Sequence, residues 1–223
     1  MSATTPTDRG SARVRVWDLP TRVTHWLLVV LVATSWWSAD SHHMDYHRYS
    51  GYGLLGLLLF RVYWGIFGSG TARFAQFVKG PRVIWRYVRA RSEHAPPGHN
   101  PLGALSVLGL LGLLVAQVTL GLFSVDVDGM ESGPWARVVS FEVGRTCAHG
   151  HHIVFNVLLG FIALHLGAVL FYWVVKRDNL VRPMVTGWKT WTHRHDNHPA
   201  LAPWWLAALG VALSAVVVTS IVR

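Results

Sequence analysis

Five stretches of this chain are long and apolar enough to cross a lipid bilayer, and no other feature narrows its fold as much. They run near residues 22–40, 48–67, 102–123, 151–175 and 202–222. A hydrocarbon core of about 30 Å takes about 20 helical residues to cross. Lipid offers no partner to a bare peptide group, so each stretch is predicted to be a helix. The first window is the least apolar. The chain has 223 residues, of which 14% are charged, against roughly a quarter in soluble domains. Its mean hydropathy is +0.33. These values place it among all-α membrane proteins. The polar, basic first twenty residues lack the short apolar core and small-residue cleavage site of a signal peptide, so the first window is expected to remain as a spanning helix.

Loop charges then give an orientation. Arg9, Arg13, Arg15 and Arg22 precede the first window. Arg73, Lys79, Arg82, Arg86, Arg89 and Arg91 lie between the second and third, and Lys176, Arg177, Arg182, Lys189 and Arg194 between the fourth and fifth. The other side carries only Arg48, Arg137, Arg145 and Arg223. Basic residues stay on the cytoplasmic side, which predicts N-terminus in and C-terminus out. The net charge of +9 is thus a topology signal and not a nucleic-acid surface. The opposite face is acidic at Asp126, Asp128, Glu131 and Glu142. It reads as a solvated loop, with docking of a basic partner as the alternative. The stretch "TARFAQFVKGPRVIWRYVRAR" reads as a cytoplasmic interfacial helix broken near Gly80-Pro81.

Thirteen histidines are many for such a chain, and a polar side chain inside a span is a functional candidate. His165 sits deep in the fourth window. An α-helix turns about 100° and rises about 1.5 Å per residue, so His151, fourteen residues earlier, shares its face about 21 Å away. His149 and His152 fall about 160° and 140° off that face. His25 stands near the inner start of the first window, and His47 near the outer start of the second. The chain therefore offers two facing pairs at two depths: His25 with His165, inner, and His47 with His151, outer. Histidine pairs on facing helices of a bundle are what a haem iron needs for its axial bonds. The single cysteine, Cys147, reads as a bystander. With no CxxCH motif, attachment would be non-covalent, of the b type. Zinc prefers three or four clustered ligands, which two pairs about 20 Å apart do not supply.

Smaller features are read with this pattern. Gly51, Gly53, Gly56, Gly160 and Gly167 could leave room for a flat macrocycle, or allow close helix packing. Arg61, fourteen residues after His47, is placed at the inner level, where its guanidinium could pair with haem propionates. Snorkelling to the interface is the alternative. His42, His43, His94 and His99 are assigned to loops, as are His193, His195 and His198 in "THRHDNHP". Most of the twelve Trp fall near span ends, as an interfacial belt does. Arg22 and Trp26 are candidates for a quinone site.

Several motifs, in order, carry a resemblance. "VWDLPTRVTHWLLVV", "HRYSGYGLLGLLLFRVYWG", "FAQFVKGP", "GHNPLGALSVLGLL", "NVLLGFIALHLGAVL" and "RDNLVRPMVTGWK" resemble the bacterial cytochrome b561 family, itself related to the b-type cytochrome subunits of nickel–iron hydrogenases. The likeness covers about residues 14–190. It implies a four-helix core holding two haem b, with ligands at His25, His47, His151 and His165. It also implies electron transfer between quinone and another redox partner. Two departures stand out: His152, where the family often has an acid, and the fifth window.

The predicted organisation is a cytoplasmic segment 1–21, a four-helix di-haem unit 22–175, a cytoplasmic loop 176–201 and an added C-terminal helix 202–223. The expected function is electron transfer between a periplasmic redox protein, such as a c-type cytochrome or an oxidoreductase subunit, and membrane quinone. In that reading the chain is a subunit more than a stand-alone enzyme, with the fifth helix a surface for oligomer assembly. A stand-alone superoxide:quinone oxidoreductase and a non-redox proton or ion transporter are the alternatives.

Overall fold

The computed structural model describes residues 12–90, 98, 100–128, 131–191 and 200–223. Among the sequence expectations, those on His94, His99, His193, His195 and His198 lie outside the described residues. The chain begins with strand β1 (Ala12–Arg15) and helix α1 (Leu19–Asp40). Asp18 caps α1, its Oδ1 accepting from the backbone N–H of Thr21 at 2.8 Å, and a proline sits in the first turn. Both are strong helix-start signals. A tight turn, with His42 in the left-handed region at φ 59°, leads into α2 (Met44–Phe67). Such a short connection makes α1 and α2 antiparallel neighbours.

Two short helices follow at the same end, α3 (Phe74–Phe77) and α4 (Pro81–Ala90). In α4 the exposed Arg82, Trp85, Arg86 and Arg89 gather on one side, while the half-buried Ile84 and Tyr87 take the other. Tyr87 bonds to Tyr172, and Asn100 donates to the same Tyr172 hydroxyl at 2.8 Å. The interfacial helix read from the sequence thus starts at Pro81, after the break at Gly80, and is anchored by one phenol.

Asn100 and Pro101 start α5 (Pro101–Phe123). A folded-back loop with a single 3₁₀ turn at Ala136–Val138 leads to α6 (Phe141–Val174). Ser140 caps α6, which brings its start ten residues before the apolar window. Its 34 residues span about 51 Å, well beyond the lipid core. A short α7 (Val181–Thr186), strand β2 (Trp188–Trp191) and α8 (Trp204–Val222) complete the chain.

Four helices, α2, α5, α6 and α8, are long and apolar enough to span a membrane. Leu164 and Val216 leave 71% and 65% of their surface uncovered, as lipid-facing residues do. The chain is thus a multi-pass membrane protein. The sequence reading expected five spans, and no fifth is found among the described residues: α1 falls short of the apolarity of the rest. The reason is where its polar groups go. Thr21, Thr24 and Ser38 are buried, and Ser35 Oγ meets Ser50 Oγ of α2 at 2.6 Å. One of the hydroxyls that lower the hydropathy of α1, that of Ser35, joins it to α2.

The strands were not foreseen. β1 and β2 form a two-stranded antiparallel ribbon, pairing Arg13 with Thr190 and Val14 with Lys189. The carbonyl of Gly187 extends it by accepting from Val16 and Trp17. Gly187 has φ 86°, and a Cβ there would stand 2.8 Å from the Trp17 carbonyl oxygen, so this corner requires glycine.

Helix α2 is the hub, packing closely against α1, α5 and α8, while α6 packs closely against α5. Two buried clusters fill the interior. One is Leu58, Leu114 and Leu158, ringed by residues that include Leu28 and Val32 of α1. The other is Phe60, Trp64 and Ala72, with Leu206 and Ala207 of α8 against it.

Candidate functional site

Three residues of α6 lie on one stripe at seven-residue spacing: His151, Leu158 and His165. Leu158 is only 1% exposed and belongs to the central leucine cluster. The two histidines are half-buried, whereas His149 and His152 are exposed. The helix is regular through this whole stretch, so the angular sorting made from the sequence applies.

Above the leucine layer, the structure brings His151 and His47 together, with ring centroids 6.0 Å apart and ring planes at 77°. The Nδ1 of His151 lies 2.9 Å from the backbone oxygen of Gln117 on α5. The Nδ1 of His47 lies 2.9 Å from the backbone oxygen of Ser35 on α1. A carbonyl only accepts, so each Nδ1 carries the proton and each Nε2 keeps its lone pair. Gly121 of α5 makes room for one of the rings. A Cβ there would stand 3.1 Å from Cε1 and 3.3 Å from Nδ1 of His151. Gly51, one turn after His47, has nothing within 4 Å of where its Cβ would be.

Below the layer, His165 Nδ1 lies 3.5 Å from Ser106 Oγ of α5. His25 packs edge-on against Trp26, with ring centroids 5.1 Å apart. Its buried Nδ1 has no hydrogen-bond partner among the described residues. His25 and His165 are close enough for a charge on one to be felt at the other.

Arg61 is 6% exposed. One of its terminal nitrogens donates to the Ala72 carbonyl at 3.4 Å, and its guanidinium carbon lies 4.9 Å from the Phe74 ring centroid. Asp18, 5% exposed, acts on it electrostatically and also accepts from Trp64 Nε1 at 2.9 Å. The polar groups of Arg22 and Trp26 turn to α7: Arg22 donates to the Val185 carbonyl, and Trp26 Nε1 to that of Met184 at 3.3 Å.

Three glycine expectations change. A Cβ on Gly53 would stand 2.8 Å from Leu31 Cδ1, so this glycine serves close helix packing. Gly160 and Gly167 are exposed and lie about 200° and 180° around α6 from Leu158 at the middle of the histidine stripe, so neither lines it. In the acidic loop, Glu131 is not free for a partner, since it pairs with Arg48 at 3.1 Å.

The sequence reading missed the role of α5. It has no histidine, yet it presents Ser106 and the Gln117 carbonyl to the two histidines of α6. Those positions are eleven residues apart, about three turns and therefore on one face. Ser106 in an apolar run was a usable signal. A backbone carbonyl leaves none.

The profile of the prokaryotic cytochrome b561 family matches residues 16–187. The chain belongs to that family. The match ends before α8. Among curated relatives, the probable Ni/Fe-hydrogenase B-type cytochrome subunit of Azotobacter chroococcum mcd 1 is 27% identical, covering 81% of this chain and 90% of that one. The probable subunit of Azotobacter vinelandii is 26% identical over the same shares. The probable Ni/Fe-hydrogenase 1 B-type cytochrome subunit of Escherichia coli (strain K12) is 25% identical, covering 78% and 90%. No solved structure matches.

Membership in the cytochrome b561 family implies haem b and a role in electron transfer, and the residues fit that group. An iron bonded to two imidazole nitrogens, at about 2.0 Å each, sets the ring centroids roughly 6 Å apart. That is the spacing of His47 and His151. The helices bearing the paired histidines also leave space, because α6 makes no extensive close backbone contact with α1 or α2 among the described residues.

Proposed function

We propose that this b-type cytochrome is a membrane electron-transfer subunit holding two haem b. His47 and His151 are the axial ligands at the acidic end, and His25 and His165 those at the basic end. The observation that carries the reading is the His47–His151 pair, two imidazoles 6.0 Å apart with both Nδ1 atoms fixed. Haem b supplies one-electron chemistry when bound. The chain's own work is to ligate, orient and exclude water. The carbonyls of Ser35 and Gln117 hold one tautomer, Gly51 and Gly121 leave space, and the leucine layer separates the two sites with dry hydrocarbon. Among the described residues Arg61 directs one N–H at Ala72 and has others to offer, which supports a role at the propionates of the basic-end haem.

In this reading residues 22–175 form the haem unit and 202–223 an added helix. Helix α1 crosses the membrane beside α2, giving five crossings. The distribution of Lys and Arg supports a cytoplasmic basic end and a periplasmic acidic end. Relatives named as hydrogenase cytochrome subunits support a periplasmic redox partner, with quinone as the other electron carrier. Haem counted per chain, in the wild type and in each His→Ala variant, tests the assignment. Two haems are expected, with paired loss at 25/165 and at 47/151. One haem per chain, or losses that do not pair, would overturn it.

A further inference from the structure

The two histidine pairs differ in what holds the nitrogen that faces away from a metal. At the acidic end both Nδ1 atoms sit 2.9 Å from backbone carbonyls, of Ser35 and Gln117. At the basic end His165 has, among the described residues, only a serine hydroxyl at 3.5 Å, beyond the usual hydrogen-bond range of about 2.7–3.2 Å. His25 Nδ1 is buried with no partner among the described residues. A hydroxyl can also turn to donate, whereas a carbonyl always accepts. An imidazole that donates from Nδ1 to a strong acceptor is a more basic ligand at Nε2. More basic axial ligands favour ferric over ferrous iron and so lower the potential.

We infer that the chain builds a fixed difference in potential between its two sites. The acidic-end pair makes the lower-potential haem and the basic-end pair the higher. Nearby charge does not oppose this ordering. At the basic end the Arg61 cation is offset by Asp18. At the acidic end Arg48 faces two carboxylates, Asp45 and Glu131. An electron delivered at the acidic end then runs downhill toward the basic end. Ser106 and Gly121 become positioning residues, each acting through one histidine.

The inference rests on the ligand assignment proposed above, and one set of measurements separates the two. Haem content is read first. A single haem, or unpaired losses, fails the assignment and the inference with it. With two haems present, the purified haem-loaded protein is titrated against potential and followed at the absorbance of reduced haem. Two components are expected. His25→Ala or His165→Ala should remove the higher one, and His47→Ala or His151→Ala the lower. Ser106→Ala should raise the higher component alone, and Ser106→Thr should restore it. Gly121→Ala, which presses a methyl on the His151 ring, should move only the lower. Coincident components, loss of the lower one with His25, or a response of the lower one to Ser106→Ala would each overturn the ordering. Should a histidine variant fail to fold, the Ser106 and Gly121 variants still decide it.

Discussion

The indole nitrogen of Trp64 donates to the buried carboxylate of Asp18 at 2.9 Å, tying the cap of α1 to the far end of α2. The other oxygen of the same carboxylate holds the first turn of α1. Asp18→Ala removes a helix cap, worth about 0.5–2 kcal/mol, and strands a buried indole N–H at about 1–3 kcal/mol. Asp18→Asn keeps an acceptor oxygen and should cost less. Unfolding of the detergent-solubilised protein should rank the stabilities as wild type, then Asn, then Ala.

Leu158 stands midway between His151 and His165 and is almost fully covered. Truncation to alanine should leave a cavity and destabilise the bundle by about 2–5 kcal/mol. Thermal unfolding checks the size. A loss well under 1 kcal/mol would mean that the leucine layer collapses to fill the gap.

His149 and His152 share the helix of the proposed ligands but are exposed. His149→Ala and His152→Ala should each leave haem content and absorbance unchanged. A loss of haem in either would refute the sorting by helix face.

The ion pairs of Arg48 with Asp45 and Glu131 lie at half-exposed side chains, 38% to 78% uncovered. Exposed pairs contribute about 0.2–1 kcal/mol and are screened by salt. Arg48→Ala should therefore shift the unfolding midpoint only slightly, with the shift shrinking as ionic strength rises.

Burial, and then its bond to Tyr172, pushes the Tyr87 phenol up to about 12. A free phenol ionises near 10. The folded state thus favours the neutral form. The stability this gives is complete below about pH 10 and is lost as pH rises from about 10 to about 12. Alkaline difference spectra should show one late-titrating tyrosine, absent in Tyr87→Phe.

Much of this arrangement could be read from residue types and helix geometry. Apolar runs located α2, α5, α8 and the end of α6 within a few residues, and fourteen-residue spacing picked His151 and His165 out of a histidine-rich stretch. Three features lay beyond that reach. The start of α6 at Phe141 depends on the Ser140 cap and a first turn that is not apolar. The supports of His47 and His151 are main-chain oxygens, which every residue possesses. The ribbon pairs Val14 with Lys189. "ARVRVW" alternates as a strand should, but nothing local names a partner so distant in the chain. Helix α1 is the least apolar of the five windows, and its Ser35 hydroxyl turns to Ser50 of α2.

That ribbon also imposes an order on biosynthesis. A chain emerges from its N-terminus, so β1 exists long before it has anything to pair with. Every helix that bears a proposed ligand is finished before Trp188–Trp191 is made. The clasp can therefore close on α1 through α7 with only α8 still to be made. Until then the cap of α1 at Asp18 has only its own helix and α2 to hold it, and His25, seven residues on, belongs to the end of the molecule that is sealed last.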